Sequence, residues 1–214
     1  MNKNYSNTLI FLFLFLFALC KMSLSQENEI VVLEHAQKQL ASFLEKIPNG
    51  MESEYGFNSR LEFKNAKLLN PINIILPSND FYNNELIDTG KVNYFSTKHW
   101  NIPISVDDNI CCFLQGHFTK NNFKVFTIGG NMIAQKFNTL YSRIPNCKNI
   151  QQSVIFFPTI KKSYLVFYDN NLNHYNSKCI SLSESFDSNL IKEHSMYEIF
   201  IHCKHQLSQK NNKK

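Results

Sequence analysis

The chain has 214 residues, 22 Lys+Arg against 17 Asp+Glu, 43% hydrophobic residues and 18% charged. That composition supplies a packed core and excludes a disordered chain. With six glycines and six prolines, it also excludes a collagen-like or Gly-rich filament.

Lys3 precedes an unbroken apolar run from Leu9 to Cys20, which is 12 residues long. Crossing a bilayer core takes about 20 helical residues, so the run is too short to span and reads as the apolar region of a signal peptide. Ser23 and Ser25 provide the small residues that a signal peptidase accepts, which places cleavage between Ser25 and Gln26. A lipoprotein signal acylated at Cys20 is the rival, but Leu19 is not the small residue such processing prefers. No later stretch is apolar enough to span. The expectation is therefore a secreted or periplasmic protein: a signal peptide over 1–25, one α+β domain over 26–207 and a disordered basic tail over 208–214. Between Gln26 and Gln209 the cationic and acidic side chains number 17 each, so the basic pI of about 8.8 belongs to the two ends. A neutral body without clustered cations does not bind nucleic acid, which needs cations to displace counterions from phosphates.

Beyond the leader, the first predicted element is a helix. Val32, Leu33, Ala36, Leu40, Phe43, Leu44 and Ile47 make one stripe of 3.6-residue period, and Pro48-Asn49-Gly50 ends it. Residues 60–63 and 67–76 read as one or two strands interrupted at Pro71, and 77–90 reads as a polar surface loop. Trp100, Ile102, Ile104 and Val106 alternate with other residues up to the turn Asp107-Asp108-Asn109. A return strand over 110–118, a turn at Lys120-Asn121-Asn122 and a strand over 123–128 complete a predicted antiparallel meander.

Gly129-Gly130-Asn131 opens a second predicted helix with Ile133, Phe137, Leu140, Tyr141 and Ile144 on one face and Asn131 as N-cap. Strands follow over 153–157 and 161–168. The second carries large apolar groups on both faces and should lie centrally. After a turn at Asp169-Asn170-Asn171 and a strand over 174–181, a last helix is predicted over about 187–206, burying Met196, Ile199, Phe200, Cys203 and Leu207. Consecutive strands argue for an α+β fold: an antiparallel, mostly meander sheet packed by N-terminal, central and C-terminal helices.

The candidate chemistry is sparse. His194, Glu198, His202 and His205 would share one quadrant of the last helix, where imidazole and carboxylate could hold zinc, copper or nickel. That face lies opposite the apolar stripe, however, and reads first as a solvated polar surface, with histidines near a helix C-terminus favoured by the dipole. Gly129-Gly130-Asn131 could offer backbone N–H groups to an anion, but it lacks the Gly-rich fingerprint of a nucleotide loop and fits an ordinary tight turn. A thiol nucleophile could be drawn from Cys111 or Cys112 with His99 or His117 as base, although both cysteines sit mid-strand among apolar residues, where adjacent side chains point to opposite faces. No Gly-x-Ser-x-Gly elbow, Cys-x-x-Cys pair or cofactor motif is present, and the acidic pairs Asp107-Asp108 and Glu52/Glu54 fall in a turn and a loop. Trp100 and the aromatic strands could form a ligand surface or simply core.

Cys111, Cys112, Cys147, Cys179 and Cys203 are the cysteines beyond the leader, an odd number that leaves at least one thiol free. None of the 25 asparagines beyond the leader begins an Asn-x-Ser/Thr sequon, where chance gives roughly three, and this leans towards a bacterial envelope. The function read from these residues is a non-catalytic binding or accessory module whose partner is a protein or small ligand in the envelope or outside the cell. A small secreted hydrolase or thiol enzyme, or a metal-binding protein using the last helix, is the alternative. Mass spectrometry of the exported protein is expected to find Gln26 at its N-terminus; an intact leader in the cytosolic fraction contradicts the export reading.

Overall fold

The computed structural model describes residues 29–83, 94–119, 122–143, 150–168, 177–182 and 193–211. The segment predicted as a leader, with Cys20 and the expected cleavage position after Ser25, lies outside them, as do Cys147, His174, Ile144 with Pro145, and the predicted turns at Lys120-Asn121 and Asp169-Asn170-Asn171.

Among the described residues, nine strands form one sheet: β1 (Lys67–Leu68), β2 (Ile72–Pro77), β3 (Tyr94–Val106), β4 (Asn109–Thr119), β5 (Asn122–Gly129), β6 (Gln152–Phe157), β7 (Lys162–Phe167), β8 (Lys178–Ser181) and β9 (Glu193–Ser195). The α-helices are α1 (29–44), α2 (Asn79–Asn83), α3 (Asn131–Arg143) and α4 (Met196–Asn211). The fold is α+β with a mostly antiparallel sheet. The order is β5-β4-β3-β2-β6-β7-β8-β9, however, and β2 runs parallel to β6, so it is not the simple meander that the element order implies.

The meander holds within each half. β3, β4 and β5 pair in sequence, and their first turn places Asp107 and Asp108 at φ 47° and 65°, the left-handed pair a two-residue hairpin requires. β7 lies between β6 and β8, with Tyr164, Leu165, Val166 and Phe167 all buried, as its two-sided apolar pattern predicts. β1 and β2 run along the same edge of β3 with Pro71 between them, so the interruption read from that proline is real.

Cross-strand partners share a face, which sorts the core. On one face, α1 lays Val32, Ala36, Leu40, Phe43 and Leu44 over Trp100, Ile102, Ile104, Leu114 and Val125 of β3–β5. Each of the valine, leucine, isoleucine and phenylalanine side chains contributes about 1.5–3 kcal/mol on burial. The same face of the other half carries α2 and α4, where Phe81, Phe157 and Phe200 meet edge-on with ring centres 5.0–5.6 Å apart. The opposite face holds α3, which buries Ala134, Phe137 and Leu140 against Ile72, Phe113, Val154, Leu165 and Ile180.

Several predicted elements need correction. Residues 60–65 form a 3-10 turn, not a strand, because local polar bonds and one guanidinium organise them. Arg60 donates to the carbonyls of Ile47 and Glu45 at 2.9 and 3.1 Å, closing the C-terminus of α1, and pairs with Glu52 at 3.2 Å. The segment predicted as a polar loop contains α2, which inserts Phe81 (1% exposed) into the core. Ile133 is exposed, with Ala134 facing the sheet instead, and α3 starts at Asn131 after Gly130 at φ 85°; the Asn131 amide donates to Ser53 O at 3.3 Å. The last helix begins at Met196, after β9, and runs to Asn211; within the predicted span, 187–192 lies outside the described residues. Its buried stripe of Met196, Ile199, Phe200 and Cys203 is as read.

Gly116 shows how closely the β4–β5 half is packed. A methyl group there would collide with the Phe123 ring and stand 2.8 Å from Lys124 O, whereas one at Gly129 meets nothing within 4 Å. In urea denaturation, Gly116→Ala is expected to lower stability by about 1–3 kcal/mol and Gly129→Ala to change it by less than about 0.5 kcal/mol. Equal effects at the two positions would contradict this packing.

Candidate functional site

The four residues read as a possible metal set are not on one helix. His194 belongs to β9, while Glu198, His202 and His205 are on α4. The reason is a capping box at Ser195 and Glu198. The Ser195 hydroxyl accepts from Glu198 N at 3.2 Å, and Ser195 N donates to the Glu198 carboxylate at 2.8 Å. Glu198 is thereby committed to the helix start, 4.0 Å from His194 Nδ1, and His202 Nε2 lies 2.9 Å from Gln206 Nε2. Among the described residues, no three His, Cys, Asp or Glu side chains converge as a metal set. The sequence signal for the box, Ser-x-x-Glu before an apolar run, is present at 195–198.

The thiols and imidazoles of the proposed nucleophile are separated by the sheet. A register shift after Ile104 makes Cys111 a bulge residue, so Cys111 and Cys112 both enter the core beneath α1, against the expectation that they point to opposite faces. His117 pairs with His99 five positions further along β4, about 17 Å from Cys112 at about 3.4 Å per residue, and on the other face. Burial pushes the Cys111 thiol from its ordinary 9.0 up to about 11 and the Cys179 and Cys203 thiols up to about 12. Cys112 is raised as well, by burial first and by its neighbour Cys111 second. Such thiols do not supply a thiolate near neutral pH. Trp100 is 7% exposed in the same core, so it serves packing.

What the structure does assemble is a polar and aromatic patch on the sheet face that α3 leaves open. α3 is anchored at one end of β4 by Asn138, which gives and receives hydrogen bonds of 2.8 Å with Ile110 O and N, and it covers Phe113. Beyond that point Gln115 and His117 continue β4 on the same face, with Asn101 and His99 opposite them on β3. The imidazoles of His99 and His117 have ring centres 5.6 Å apart and planes inclined by 43°. Phe126 is the bulge residue of β5, half exposed at 49%, with its ring centre 5.6 Å from His117 and 6.4 Å from His99.

The position of His99 depends on Asn73. β3 gains two residues against β2 between Trp100 and Ser96, which would leave ladder groups unpaired. The Asn73 amide donates to the carbonyls of Thr97 and His99 at 3.2 and 3.3 Å and accepts from the Ser96 hydroxyl at 2.7 Å. Thr97 Oγ1 in turn donates to Ile74 O at 2.6 Å and accepts from His99 N at 3.0 Å. Backbone groups that a bulge unpairs must find other partners when buried, and this network supplies them, fixing the backbone under His99.

The chain matches no family model, no curated protein and no solved structure. Among the described residues no helix is long and apolar enough to cross a membrane.

The buried thiols carry two measurable consequences. Cys111, Cys112, Cys179 and Cys203 are expected not to react with a thiol reagent at pH 8 in the folded protein and to react fully in denaturant. Because the fold keeps them protonated while unfolded thiols ionise near 9.0, the folded state holds more protons above that pH. Stability is therefore expected to fall as pH rises from about 9 to about 12, and replacing Cys179 with alanine should shallow that slope.

Proposed function

We propose that the protein is a non-catalytic recognition module that acts outside the cytoplasm, in or beyond a bacterial envelope, and that it presents the open sheet face beside α3 to a protein or small ligand. The observation that carries the reading is the half-exposed Phe126 standing beside two imidazoles on a rigid, paired backbone. An aromatic ring held at low conformational freedom, flanked by polar groups with fixed directions, is what recognition surfaces use for anchoring and specificity. Asn101, Gln115 and Thr127 occupy one cross-strand row beside it. Phe95, 50% exposed on the extension of β3, adds apolar area to the same end of the sheet. Export is supported by the leader pattern around Lys3, the Leu9–Cys20 run and Ser25.

Photo-crosslinking in the expressing cell tests this. With p-benzoylphenylalanine at position 126, one discrete adduct is expected, lost when excess unlabelled wild-type protein competes and retained when the competitor carries Phe95→Ala and Phe126→Ala. The same probe at position 132, where the exposed Met132 lies on α3, serves as the comparison. No adduct from position 126, or the same adduct from both positions, overturns the reading.

A further inference from the structure

We infer that His99 and His117 bind a borderline transition-metal dication, zinc or copper(II), with Asn101 Oδ1 as the oxygen donor. The two imidazoles are register partners on adjacent antiparallel strands, with centres 5.6 Å apart. Two imidazoles sharing one tetrahedral ion through Zn–N bonds of about 2.1 Å place their ring centres roughly 5 Å apart. Side-chain rotation supplies the remaining half-ångström or so.

A second observation points to the same place. Among the described residues, the buried side-chain nitrogen and oxygen atoms without a hydrogen-bond partner are Asn101 Oδ1 and His117 Nδ1. Both lie on this face, two residues apart in register, since Asn101 pairs with Gln115 and His117 with His99. An amide oxygen is always an acceptor, and an imidazole nitrogen is one in the tautomer protonated at the other nitrogen. A partner that satisfies both atoms is a cation or a donor, which argues against an anion despite Lys124 opposite His117 on β5. Calcium and magnesium favour sets of oxygens, whereas zinc and copper take imidazole with an added oxygen. Exposed His99 leaves one side of the ion open to water or to a ligand, and the Phe126 ring walls another. Lys124, exposed and opposite His117 on β5, opposes the dication and limits affinity.

The inference goes beyond the recognition reading and stands without it, because an ion could bind here whether or not a larger partner docks. Calorimetric titration of the untagged protein with zinc alone is expected to show one equivalent bound. His99→Ala, at an exposed position whose loss leaves the core intact, should weaken binding at least tenfold. Lys124→Gln should strengthen it roughly two- to fivefold. The double variant His194→Ala/His202→Ala should leave it unchanged. With copper(II), electron paramagnetic resonance should report two nitrogen ligands in the wild type and one in His99→Ala. Absence of zinc binding by the folded wild type, unchanged affinity in His99→Ala, or loss of binding in the His194/His202 variant overturns the assignment. The crosslink from position 126 measured in the presence of a chelator keeps the two readings apart: its survival without metal supports recognition alone, and its absence in either condition bears on recognition without touching the titration.

Discussion

The fold depends on one short stretch of parallel pairing, Asn73–Ile75 against Ser153–Ile155, which joins β2 to β6. On one side of it stands the β3–β5 meander under α1, and on the other β6–β9 under α4. Parallel neighbours need a long crossover, and here the connection contains β3, β4, β5 and α3. α3 lies over the joint and buries Phe137 and Leu140 against residues from both halves, so packing on one face secures what a few backbone bonds align. Without that helix each half would expose an apolar sheet face to water.

The open patch is a consequence of the same arrangement. One helix of thirteen residues, tied to Ile110 by Asn138, covers one end of β4 and stops short of the other. The uncovered end is held rigid by the Asn73 network along β3 and by the Phe126 bulge in β5. Bulges re-aim side chains and end regular pairing. Here they bring Phe126 against His117 and allow β3 to continue to Tyr94 after the alternating pattern of Trp100 to Val106 has ended.

Local pattern identified most helices and strands but not the exceptions, and the exceptions share a cause. Residues 60–63 read as strand material because four residues are too few to separate periods of two and three, and the contacts that make Arg60–Asn65 a 3-10 turn instead, from Arg60 to the end of α1, reach 13 and 15 residues away. Phe81 in a polar, Asn-rich stretch looks like a stray aromatic until Phe157 and Phe200 are seen to surround it. Cys111 and Cys112 share a core only because of a register shift that no residue announces. The capping box at Ser195 was readable, and reading it moves His194 off the helix and ties Glu198 to the helix start.

Sequence alone determined the α+β class, the buried stripes of α1 and α4 and the two-sided burial of β7, because side-chain periodicity responds to the nearest few residues. Only the tertiary structure decided that β2 pairs with β6 and that His99 faces His117 beside Phe126. Strand partners are chosen by contacts between distant residues, and which face stays open depends on where a helix stops, neither of which a local pattern encodes.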